Sequence, residues 1–272
     1  MIKESVSISD VFSASRRIYP IVKVTPLIES LALKEQFKAK SICFKAEMMQ
    51  ETGAFKIRGA ANKIISLSES EKKRGVITFS TGNHGRAVAY VAHTYNVPAT
   101  VCVSERVPQY RVKSIEALGG YVVQKGKSQD EAEKEYERLR DEKHLIPVVP
   151  FDDPLIAAGQ GTISLEIYNQ LPEIDTLIVP LSGGGLLGGM AMAIKALKPS
   201  VRVIGVSIAR SPAMLESVKA HKVVQVEEKD TIADSLLGGI GFNNQYTLDL
   251  VTRYVDEHVI VDEPEIKEAM RY

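Results

Sequence analysis

Three short apolar runs, each followed by a segment of helical character, constrain the fold of this chain more than any other feature. Val76-Ile-Thr-Phe79, Thr100-Val-Cys-Val103 and Tyr121-Val-Val-Gln124 read as strands. Residues 87–95 follow the first as a helix, and a helix through Val112, Ile115 and Leu118 follows the second, stopping at Gly119-Gly120. After the third, Ser128-Gln-Asp-Glu131 has capping-box spacing and opens a charged helix with Ala132, Tyr136 and Leu139 on one face. Strand then helix, repeated at this spacing, predicts a parallel sheet with right-handed crossovers and a compact α/β unit at about 75–152. The second half repeats the theme: a strand at 176–180, a glycine-rich turn at 182–189, a helix at 190–197, and strands at 201–206 and 259–261. Continuous apolar runs fit strands covered on both faces.

The flanks are less regular. Residues 7–19 read as an amphipathic helix with Ser9 or Asp10 as its cap and Val11, Ala14 and Ile18 along one stripe. Pro26 forces extended backbone on Thr25, because proline excludes helix from the residue before it. A helix at 29–37, a strand at 41–46 and a helix from Lys56 to about Leu67 follow. Near the end, Asp262-Glu-Pro-Glu265 is a good helix start, with the proline tolerated in the first turn. Ile266 and Met270 begin an apolar stripe that stops after two turns, so the chain is expected to be shorter than the unit it comes from.

Bulk properties narrow the function classes. The 272 residues suffice for one large domain or two modest ones. Lysine plus arginine and aspartate plus glutamate cancel at 34 each, which removes any electrostatic argument for nucleic acid or an anionic membrane. The expected partner is a small molecule. Cys43 and Cys102 each sit in an apolar run and are expected to be buried free thiols. No cysteine and histidine cluster has zinc spacing, no apolar stretch approaches a membrane span, and the first residues lack a signal-peptide core. These readings predict a cytoplasmic enzyme.

Three segments carry chemistry. In Thr52-Gly-Ala-Phe-Lys-Ile-Arg-Gly-Ala60, Lys56 follows an aromatic ring in a turn of small residues. Burial against Phe55 would lower its pKa and make the amine a usable nucleophile or base; the bland alternative is a solvated helix-start lysine. Ser80-Thr-Gly-Asn-His-Gly85 is a strand-to-helix turn suited to a carboxylate, held by backbone N–H groups and the hydroxyl of Ser80 or Thr81. There Asn83 could meet a phenolic oxygen, while His84 reads equally as a general base or as a side chain satisfying local backbone. Ser182-Gly-Gly-Gly-Leu186, between a strand and a helix, lets N–H groups converge at a helix N-terminus and suits a phosphate monoester. It lacks both the Gly-Lys-Ser/Thr ending of a Walker loop and the downstream acid of a dinucleotide fingerprint. A lysine, a carboxylate cradle and a phosphate cradle are the three anchors that pyridoxal phosphate and an amino acid require.

With these segments, Phe151-Asp-Asp-Pro154, Ala158-Gly-Gln-Gly-Thr162, Ile232-Ala-Asp234 and Gly238-Gly-Ile-Gly241 fall in order along the chain. In this the chain resembles the threonine dehydratase and serine racemase family of fold-type II pyridoxal-phosphate enzymes over essentially its whole length. Gly53-Ala-Phe-Lys56, residues 80–90 and Ala233-Asp-Ser-Leu236 look closest to the hydroxyectoine-utilisation dehydratase branch. The resemblance implies an α/β fold of two open, twisted, mostly parallel sheets flanked by helices. It implies a large cofactor-binding domain at 1–74 plus 153–272, a small mobile substrate domain at 75–152, and a homodimer. It further implies that Lys56 carries pyridoxal 5'-phosphate and later moves the α-proton. Phe55 would pack behind the cofactor ring, Asn83 would meet its hydroxyl, and Gly238 would lie along its edge. Ser182, Gly183, Gly184, Gly185 and Leu186 would hold its phosphate, and the backbone of Ser80, Thr81, Gly82, Asn83 and His84 the substrate carboxylate. Three departures matter. Ala54 replaces the serine of many members, Thr81 stands where racemases have the serine that protonates the opposite face, and Ser207 stands near the family's metal-binding glutamate, so no metal is expected. The partner of the pyridine nitrogen would fall beyond Tyr272. The implied activity is elimination of the β-hydroxyl of a threonine- or serine-type amino acid, with racemisation or non-catalytic ligand binding as the rivals.

Overall fold

The computed structural model describes residues 6–80, 82–127 and 129–271. Its N-terminal helix α1 (Ile8–Ile18) buries Val11, Ala14 and Ile18, the expected stripe. The cap is Ser7 rather than Ser9 or Asp10, and Asp10 instead closes the capping box from the third helical position. Strand β1 (Leu27–Glu29), helix α2 (Leu31–Phe37) and strand β2 (Cys43–Lys45) follow. β1 and β2 pair antiparallel, so the segment read as one helix at 29–37 is a strand end followed by a helix capped by Ser30. After a 3₁₀ turn at Glu47–Met49 come α3 (Lys56–Ile65) and the short α4 (Glu69–Arg74), which has a complete Ser68 capping box.

The alternating region forms β3 (Val76–Phe79), α5 (Asn83–Thr94), β4 (Ala99–Val103), α6 (Gln109–Glu116), β5 (Tyr121–Gln124), α7 (Gln129–Lys143) and β6 (Ile146–Pro147). Its four strands make an all-parallel sheet in the order β5-β4-β3-β6. Ala132, Tyr136 and Leu139 are buried, as their spacing requires, whereas Ser128, the expected cap, lies outside the described residues. Helix α8 (Pro154–Gln170) then leads into β7 (Thr176–Pro180), α9 (Gly185–Leu197), β8 (Arg202–Ile208), α10 (Ala213–Ala220), α11 (Thr247–Tyr254), β9 (Glu257–Val261) and α12 (Glu263–Ala269). β7, β8 and β9 form a second parallel sheet. The two parallel sheets flanked by helices are the predicted α/β class; the β1–β2 ribbon is an addition.

The largest apolar cluster joins α8, α9 and the second sheet through Ile163, Leu177, Leu187, Ile194 and Val203. Another joins α3, α5 and β3 through Ile57, Ile64, Val76 and Val88. Between them α3 meets α8 backbone to backbone, since a Cβ on Gly159 would lie 2.6 Å from the Arg58 carbonyl oxygen. Cys102 is buried and free; Cys43, expected to be buried, is free but only half-buried. Among the described residues no helix is long and apolar enough to cross a membrane, and no three His, Cys, Asp or Glu side chains gather to hold a metal.

Candidate active site

Lys56 is the first residue of α3, so its side chain leaves the helix from the open end. The turn before it depends on Gly53, whose φ of +75° suits glycine and whose N–H donates to the Gln50 carbonyl at 2.8 Å. The Lys56 Nζ donates to the Pro150 carbonyl at 2.7 Å and sits 5.2 Å from the centre of the Phe55 ring. Among the described residues no carboxylate pairs with it. Burial of the amine therefore pushes its pKa down from 10.5 to about 8.

The turn expected to take a carboxylate leaves β3 at Phe79 and enters α5 at Asn83, four residues before the expected helix start. Gly82 is the N-cap and offers no side chain, so among the described residues no N-cap side chain closes the first N–H groups of α5. Gly85 lets the helix close on the strand end: a Cβ there would lie 2.4 Å from the Ser80 carbonyl oxygen. The Ser80 hydroxyl accepts from the Gly82 N–H at 3.4 Å, and Asn83 is exposed. Thr81 lies outside the described residues. His84 is buried, with Nε2 2.9 Å from the Val148 carbonyl. Burial first, and the nearby Lys56 charge second, push its pKa down to about 3, against the opposing bond to Val148. The imidazole is thus a neutral donor that ties α5 to the segment beyond β6; of the two readings of His84, the geometry favours the one satisfying backbone.

The turn expected to take a phosphate leaves β7 at Pro180 and enters α9 at Gly185, five residues before the expected start. None of its three glycines could carry a side chain in place. A Cβ on Gly183 would lie 2.3 Å from the Phe151 ring, and one on Gly185 would lie 2.9 Å from the Phe151 Cα. Gly184 has φ +82° and a Cβ on it would meet Thr247 at 3.1 Å. Among the described residues, five other helices close their N-termini with the side chains of Ser7, Ser30, Ser68, Asp153 and Asp262. α5 and α9 instead begin on glycine N-caps, which leaves room for an anion. Gly238 has φ +122° and open space around its Cβ position.

Residues 150–153 bring these anchors together. Pro150 receives the lysine, and Phe151 covers Gly183 and Gly185. Asp152 accepts from the N–H groups of Gln245, Tyr246 and Thr247, and Asp153 caps α8 while pairing with Lys63 at 2.6 Å. Phe151-Asp-Asp-Pro154 stands out in the sequence without showing a role, and nothing local singles out Pro150. The Asp-Pro pair at a helix start was the one available local signal. A separate cavity of about 400 Å³, lined by Phe12, Tyr19 and Leu165 among others, holds none of these anchors; the Arg58 and Glu166 side chains beside it are already paired.

Comparison with known proteins decides the family. The model of the family described as "Pyridoxal-phosphate dependent enzyme" matches residues 18–272. The chain belongs to that family. This pyridoxal-phosphate enzyme is 39% identical to the L-threonine ammonia-lyase of Thermotoga maritima over 98% of its own length and 66% of that protein's. It is 37% identical to a catabolic L-threonine dehydratase of Staphylococcus aureus, covering 98% of this chain and 76% of the relative. The structure of maize serine racemase superposes with a TM-score of 0.93 at 35% identity, covering 98% of this chain and 80% of the other.

The residues present fit the cofactor. A buried amine of lowered pKa suits an aldehyde, and a turn of glycines with uncapped N–H groups suits a phosphate.

Proposed function

We propose that this enzyme eliminates water from a β-hydroxy amino acid of the threonine or serine type, giving a 2-oxo acid and ammonia. The observation that carries the reading is the buried Lys56 amine, joined through 150–151 to a phosphate-type turn and lying near enough to His84 for its charge to act on that ring. The N–H groups of 182–186 bind the cofactor phosphate, and those of 80–84 bind the substrate carboxylate. When bound, pyridoxal phosphate supplies the electron sink for charge developing at the substrate Cα. Lys56 Nζ takes the α-proton and hands it to the departing β-hydroxyl, which leaves as water, and the released enamine tautomerises and takes up water to give the 2-oxo acid and ammonia. Phe55 and Phe151 keep bulk water away from the amine. His84, neutral near pH 7, holds the substrate turn against Val148 without exchanging protons.

The reading takes residues 75–152 as a small mobile substrate domain, 1–74 with 153–272 as the cofactor domain, and the working form as a cytoplasmic homodimer. The first division is supported by the strands β3 to β6, which among the described residues pair only with each other. Racemisation is the second reading, favoured by the likeness to maize serine racemase. It requires Thr81 to protonate the opposite face of Cα, where the threonine methyl favours elimination instead. Within the dehydratases, the motifs at 53–56, 80–90 and 233–236 favour a hydroxyectoine-pathway intermediate as the natural substrate.

The test is a panel of L-threonine, L-serine, 3-hydroxyaspartate and hydroxyectoine-pathway intermediates. 2-Oxo acid and ammonia are measured, together with chiral analysis of the remaining substrate. Equimolar oxo acid and ammonia with unreacted substrate still of L configuration is the expected result. Accumulating D-isomer without oxo acid would establish the racemase reading instead, and no turnover of any substrate would leave only ligand binding.

A further inference from the structure

The cofactor turn is held between two walls. On one side the Phe151 ring and backbone lie against Gly183 and Gly185. On the other side, beside the Met214 methyl at 2.7 Å, stand Thr247 and Val251 of α11, at 3.1 and 3.2 Å from where a Gly184 Cβ would be. These walls come from segments about a hundred residues apart in the chain, and one side chain joins them. Asp152 Oδ2 accepts from Gln245 N–H at 2.7 Å, and Oδ1 accepts from Tyr246 and Thr247 N–H at 2.9 Å each. The Thr247 hydroxyl adds a longer contact at 3.4 Å. Tyr246, the N-cap of α11, makes no side-chain cap bond, and a carboxylate distant in sequence caps this helix instead. Thr247 is fully buried, and Asn244 extends the connection by bonding the Ile240 carbonyl of the 238–241 loop at 3.0 Å.

We propose that Asp152 is a positioning residue for the cofactor phosphate. By tying the start of α11 to the Phe151 wall it fixes the gap in which Gly184 takes its left-handed turn. It thereby sets where the N–H groups of 182–186 converge. The proposal rests on the reading that this turn holds the phosphate. Its sign separates it from plain electrostatics. Removing a negative charge near an anion would tighten phosphate binding by Coulomb's law alone, whereas loosening the turn weakens it.

The test compares the affinities of apoenzyme for pyridoxal phosphate and for pyridoxal, which lacks the phosphate, followed by the visible absorbance of the bound cofactor. Asp152→Asn is expected to weaken pyridoxal phosphate about tenfold or more while leaving pyridoxal within about twofold, since three charge-assisted bonds become neutral or are lost. Apoenzyme melting should show that the variant is folded. Asp152→Glu, which keeps the charge, should recover part of the loss and serves as the test variant if Asp152→Asn is insoluble. Equal weakening of both ligands, no change, or tighter phosphate binding would each overturn the proposal. Gly185→Val controls for the underlying reading. If that variant still prefers pyridoxal phosphate over pyridoxal as wild type does, the turn does not hold the phosphate. If it loses the preference while Asp152→Asn keeps it, only the role of Asp152 fails.

Discussion

Replacing Arg58 with alanine is expected to destabilise the apoenzyme by about 3–5 kcal/mol, the range for breaking a buried ion pair from one side. Arg58 is the largest fully buried side chain and lies two residues after Lys56 in the first turn of α3. Its guanidinium grips Glu47 at 2.8 and 2.7 Å and Glu166 at 2.6 and 3.0 Å, and reaches the Thr162 hydroxyl at 3.1 Å. Lys45 supports the same Glu166 at 2.6 Å. Alanine would strand two largely buried carboxylates with one remaining cation, a different matter from deleting a surface salt bridge. Denaturant unfolding would measure the loss, and the melting temperature should fall by roughly 10 °C. Exchanging Arg58, Glu47 and Glu166 together for apolar residues of similar volume should recover much of it, because then no charge is left alone. Because the brace fixes the helix start from which Lys56 extends, cofactor affinity should fall with Arg58→Ala before the fold is lost.

Lys56→Ala is expected to abolish the visible absorbance of bound cofactor and to lower turnover by at least ~10²–10⁴-fold, the contribution of a positioned acid–base group. The pH behaviour of the wild type follows from the same burial. The reactive form of the amine is the neutral one, so capture of the cofactor should slow as pH falls through about 8, well below the ordinary lysine value of 10.5. The sign for stability is the reverse of a paired lysine. The folded pKa lies below the unfolded one, so the unfolded state binds more protons. The resulting penalty is full below about 8 and fades as pH rises toward 10.5. Apo Lys56→Met should accordingly be more stable than wild type at pH 7, and the two should converge near the top of that window. Parallel unfolding curves across the pH range would contradict the burial of the amine.

Much of this was legible in the chain, and the failures have physical causes. Strands β3, β4, β5 and β7 announced themselves as apolar runs, and the capped helix α12 by its Asp262 and Pro264. The starts of α5 and α9 were read too late because glycine and asparagine are poor helix formers. Those are the helix ends that begin on a glycine N-cap, so the segments proposed to bind anions carry the weakest helix signal. Helix α8 has no polar face to set off a stripe because it is buried from Ile156 to Leu165 on every side, with Gly159 and Gly161 admitting neighbouring helices. Arg58 was visible beside Lys56, but its partners at 47 and 166 follow no local spacing. The bond from Lys56 to Pro150 spans 94 positions and leaves no pattern in sequence.

Lys56 is the residue proposed to hold the cofactor. Reduction of the loaded enzyme with borohydride, followed by proteolysis and peptide mass mapping, asks this directly. The predicted result is a single pyridoxyl modification on the peptide containing Lys56, absent from Lys56→Ala. A modification on another lysine, or stoichiometric labelling that persists in Lys56→Ala, would contradict it.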